Sequence, residues 1–179
     1  MSDDEAARTR ELLLTRIARY GYAITQVFQV GEARDQSYTY TIGLPQHIGH
    51  PELALSGIGP RTAVEVIPAV VALLEQIPEV DGRVVGALED RKPLWIVTLP
   101  EAVVASRLSV AGWWRREQHD GRPGTAKQIV CCDPTGRFPW ESGCEVGYGR
   151  LQALLLPEIA VREPRVTAAT KQGGIGATD

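Results

Sequence analysis

The chain has 179 residues, 44% hydrophobic and 23% charged, with a formal net charge of -3. Length and composition point to one globular domain with enough chain to bury a core. The slightly acidic balance offers no electrostatic footprint for nucleic acid, and no apolar run of roughly 18 residues is present to cross a membrane.

The opening segment "MSDDEAARTR" is acidic and polar, unlike a secretory leader. Three cysteines, two of them adjacent, make no disulfide framework, so a reduced, cytoplasmic setting is expected.

Ser2 and Glu5 have capping-box spacing, and Leu13, Ile17 and Tyr20 recur at helical spacing before Gly21. A first helix is therefore expected. "YAITQVF" and "SYTYTIGL" are rich in β-branched and aromatic residues, and "QVGEARDQ" between them reads as a hairpin loop. "ELALSGI" reads as a third strand. "GPRTAVEVIPAVVALLEQI" predicts a helix over 60–77, with Pro60 near its first position and Val64, Ile67, Val71 and Leu74 as its apolar face. Pro68 should kink it.

"RVVGAL" and "LWIVTL" are two more strand candidates. A helix is expected over 100–117, opened by Pro100 and Glu101 and ended by "HDGRPG". "AKQIVCCD" reads as a strand, and "PTGRFPWESGCEVGYG" as a long loop. Strands fall in neighbouring pairs with helices between the groups. That pattern predicts a single α+β domain over 1–161, with a mainly antiparallel sheet of at least four strands and about three helices. Residues 162–179 lack large apolar groups and are expected to form a disordered tail. Ile24, Ile42, Leu55, Val71, Leu74, Val97, Leu108 and Ile129 are the expected core.

The sequence has no P-loop, HExxH, CxxC pair or G-x-S-x-G elbow. Two motifs carry the remaining chemistry. In "TIGLPQHIGHPEL", His47 and His50 are three residues apart, but Gly49 and Pro51 oppose a helix that would align their rings. A catalytic zinc normally takes three protein ligands, so a third would have to come from Glu52, His119, Asp133 or a cysteine. No metal and no cofactor is expected.

In "CDPTGRFPW", Asp133 heads a type I turn. Arg137 offers a planar donor fork, and Phe138 and Trp140 are aromatic groups in a loop. Each has a structural alternative: Asp133 capping its turn, Arg137 pairing with a carboxylate, Trp140 filling the core. Cys131 and Cys132 should point to opposite faces, one into the core and one to the surface or a cleft. Trp113 and Trp114, followed by Arg115 and Arg116, read as one core and one rim residue rather than a nucleic-acid surface.

"YTYTIGL…GHPELALSGI" followed by "KQIVCCDPTGRFPW" resembles the bacterial domain-of-unknown-function 4262 family, from about Gly21 to Trp140. The resemblance implies a small soluble bacterial protein and carries no activity. It also implies that His47 is replaceable among relatives, which makes His50 the histidine to follow.

His50, Glu52, Asp133, Arg137 and Trp140 are therefore expected to border one cleft. The favoured function is a binding module for a small polar or anionic ligand or a protein partner. One alternative is a small hydrolase or transferase that uses His50 with Asp133 or a cysteine. Another is an immunity-type or stress-associated interaction protein.

Overall fold

The computed structural model describes residues 3–28, 37–77, 79–89, 92–118 and 124–145, with Tyr148 and Gln152. Ser2, the hairpin loop at 29–36, His119 and the tail at 162–179 lie outside them.

Helix α1 (Asp3–Tyr20) leads into the hairpin of β1 (Ala23–Val27) and β2 (Tyr38–Ile42). A one-turn helix α2 (Leu44–His47) precedes β3 (Glu52–Ser56), and α3 (Pro60–Leu74) follows it. Next come β4 (Gly82–Val84), β5 (Leu94–Thr98), α4 (Glu101–Arg107), α5 (Ser109–Glu117) and β6 (Ala126–Cys131). Among the described residues, six strands form one open sheet in the order β1-β2-β3-β6-β5-β4. Every pairing is antiparallel except β3 with β6. The α+β, mainly antiparallel architecture agrees with the sequence pattern. No helix among the described residues is long and apolar enough to cross a membrane.

Strand alternation sends successive side chains to opposite faces. On one face Leu53, Leu55, Ile96, Ile129 and Cys131 meet the buried stripe of α3, which includes Ile67, Val70 and Leu74. On the other, Tyr38, Tyr40, Ile42, Ala54 and Ala126 meet Val104, Leu108, Ala111 and Trp114 of the α4–α5 segment. Toward the far end of β6, Val130 and Cys132 pack with Phe138, Trp95 and Trp140. Cys131 and Cys132 thus face opposite ways, as expected, but both are buried. The chain beyond β6 folds back and covers Cys132.

Six of the eight expected core residues are buried, and Ile24 and Val97 are half-buried. Val64 is a correction, being 54% exposed. The buried stripe of α3 is Ala63, Val66, Ile67, Val70, Val71 and Leu74. Val64 follows Ala63 by about 100° around the helix axis, which carries it off that stripe. Helix α3 contains Pro68 within one continuous element. Tyr20 is also exposed, although Leu13 on the same helix is buried.

The single helix expected over 100–117 is two. Leu108 leaves helical geometry at φ -100 and ψ 50, closing α4 with a bond from its N–H to the Val104 carbonyl. Its own carbonyl accepts the Gly112 N–H to begin α5. The break drops the Leu108 side chain into the core, and no glycine or proline marks it in the sequence.

Candidate functional site

Glu52 opens β3 at the point where the β2–β3 ladder gives out. The paired residues end at Tyr40 and Ala54. Beyond them a side chain replaces the backbone: the Leu53 N–H donates to Thr41 Oγ1 at 2.8 Å. Thr41 in turn donates its hydroxyl to Glu52 Oε2 at 2.6 Å. The Gly43 N–H donates to Oε1 at 2.7 Å, and the Leu44 N–H approaches Oε2 at 3.4 Å. Gly43 sits at φ 106, a left-handed conformation that glycine adopts without strain, and this turns its N–H toward the acid. The glutamate therefore ties the end of β2 and the first amides of α2 to the start of β3.

Glu52 is only 2% exposed, and burial pushes its pKa up to about 7. The hydrogen bonds from Thr41, Gly43 and Leu44, and the positive charge of Arg115 on α5, pull in the opposite direction without cancelling it.

Glu52 is also among the residues that line a cavity of about 680 Å³, whose other walls come from α4, α5 and the approach to β6. Val104, Ala105, Leu108 and Ala111 supply apolar wall; Glu101, Arg115 and Arg116 supply charge. Gly124 leaves room for the Arg115 guanidinium: a Cβ there would collide with Nη1, whereas one at Gly112 would make only an ordinary contact, 3.6 Å from Arg116 Nη1.

His50 is 3% exposed and lies outside this lining. Its Nδ1 is 2.9 Å from the Pro51 carbonyl, a contact in which Nδ1–H donates. Its Nε2 is buried with no hydrogen-bond partner among the described residues. Burial lowers its pKa, favouring the neutral ring. His47 points elsewhere: it is exposed at the end of α2, over Gly21 and 6.2 Å from the Tyr22 ring. Among the described residues, no three His, Cys, Asp or Glu side chains are grouped to hold a metal ion.

The second motif is a self-contained loop. Asp133 Oδ1 accepts the Thr135 N–H at 2.8 Å, the Thr135 hydroxyl at 2.7 Å and the Arg137 N–H at 2.9 Å. Oδ2 accepts the Glu145 N–H at 3.0 Å. These bonds, led by that from Arg137, hold its carboxyl well below the usual carboxylate range. Arg137 is exposed and donates from Nη1 to the Gly143 carbonyl at 3.0 Å; the carboxylate partner expected for it is replaced by a backbone oxygen. Trp140 stacks on Phe138 with ring centroids 5.2 Å apart and meets the edge of Trp95.

The five residues of the two motifs do not border one cleft. Glu52 is in register with Ala126 at the start of β6, whereas Asp133 follows the end of that strand. Six residues of strand separate them, roughly 20 Å at about 3.3 Å per residue. Direct hydrogen bonding between His50 and Asp133 is excluded, which removes that pair from the hydrolase or transferase alternative. The parallel β3–β6 pairing is the reason: it sends the two motifs to opposite ends of the sheet. The residues that do join Glu52 are Thr41, Arg115 and Arg116. "WWRRE" signalled basic residues beside aromatics, but nothing in that spacing places them beside the start of β3.

The fold and site define a small α+β domain on an open mixed sheet, with a buried acid among the residues that line a cavity. The chain belongs to the family described as Domain of unknown function (DUF4262), whose model matches residues 16–145. No curated protein matches it, and neither does any solved structure. The matched span holds both motifs and every residue lining the cavity.

Proposed function

We propose that the protein is a binding module for a small polar ligand, held in the cavity between the α4–α5 segment and the start of β3. The observation that carries this reading is that Glu52, a buried acid, is among the residues that line a cavity, together with Arg115. An ordinary core would place an apolar residue there, since burying an ionisable group is costly. A strongly perturbed acid in a cleft of a few hundred Å³ is the usual mark of a functional site. The Asp133 loop takes the structural role, because its polar groups are satisfied by its own backbone.

A second reading, proton transfer by Glu52, is favoured by its pKa of about 7, the range in which a general acid or base works near neutral pH. Under it, the same cavity turns its ligand over.

The test is a screen of small polar compounds against isotope-labelled protein by amide chemical shift. Binders are expected to move the resonances of residues lining the cavity, from Glu52 and Val104 through Thr125. Binders that move only the 133–145 loop contradict this reading.

A further inference from the structure

We draw no further inference here: the strongest candidate, the outer edge of β1 with the exposed Phe28 beside it, carries nothing, because nothing among the described residues shows what covers it.

Discussion

Thr41 and Glu52 share a 2.6 Å hydrogen bond in which the threonine hydroxyl donates to the carboxylate while accepting the Leu53 N–H at 2.8 Å. One hydroxyl thus replaces a missing rung of the β2–β3 ladder and orients the buried acid. Thr41→Val keeps the shape and removes both bonds, leaving a buried N–H and a carboxylate oxygen short of partners. Denaturant unfolding should show a loss of about 1–3 kcal/mol. Loss of the Thr41 donor should also move the Glu52 pKa further upward, since that bond now lowers it.

The raised pKa of Glu52 has a defined consequence for stability. Its carboxyl is pushed from 4.5 to about 7 by burial. Between these values the folded state binds more protons than the unfolded state, so stability falls as pH rises. The contribution is complete below about pH 4.5 and lost by the time pH has passed 7. The difference is on the order of 3 kcal/mol, at about 1.4 kcal/mol per pH unit. Unfolding free energies of the wild type minus those of Glu52→Gln, measured from pH 4 to 9, should trace this fall. A flat difference contradicts the burial of a titrating acid.

Asp133 has the opposite sign. Its lowered pKa supplies stability that is present above the ordinary aspartate pKa and lost as pH falls through the folded value. Asp133→Ala should leave the sheet intact but open the 133–145 loop to proteolysis and amide exchange. Arg137→Ala removes only an exposed contact to a carbonyl, and its stability should lie within about 0.5 kcal/mol of wild type. A much larger loss for Arg137→Ala would mean that the guanidinium holds the loop closed.

Gln152 lies beyond the matched family span and still belongs to the fold. Its side chain accepts the Cys131 N–H at 2.7 Å and donates to the Cys131 carbonyl at 2.6 Å, completing the backbone pairing of β6. Gln152→Ala should therefore cost about 1–3 kcal/mol in unfolding free energy. No loss would show that water or another group satisfies Cys131 equally well.

Much of this architecture is legible in the sequence. Alternating β-branched runs mark the strands, and the spacing of Ile67, Val71 and Leu74 marks the inner face of α3. The acid itself was legible as a polar residue at the head of an apolar strand in "PELALS". Its neighbours were not. Loop chemistry shows that "GHPEL" and "DPTGRFPW" are shaped turns, but it does not show which sheet end each turn occupies. That depends on a single parallel pairing, between β3 and β6, whose strands are far apart in the chain. The break at Leu108 is likewise set by packing, since the side chain drops into the core where local propensity would continue the helix.

The most direct test of the account is the titration of Glu52 itself, followed through its side-chain carboxyl carbon by NMR from pH 4 to 9, with Glu52→Gln assigning the resonance. The account predicts a midpoint of about 7, well above an ordinary glutamate. A midpoint near 4.3, the value of a solvated side chain, would contradict it, because Glu52 would then be a hydrated surface acid and not the buried end of a ligand cavity.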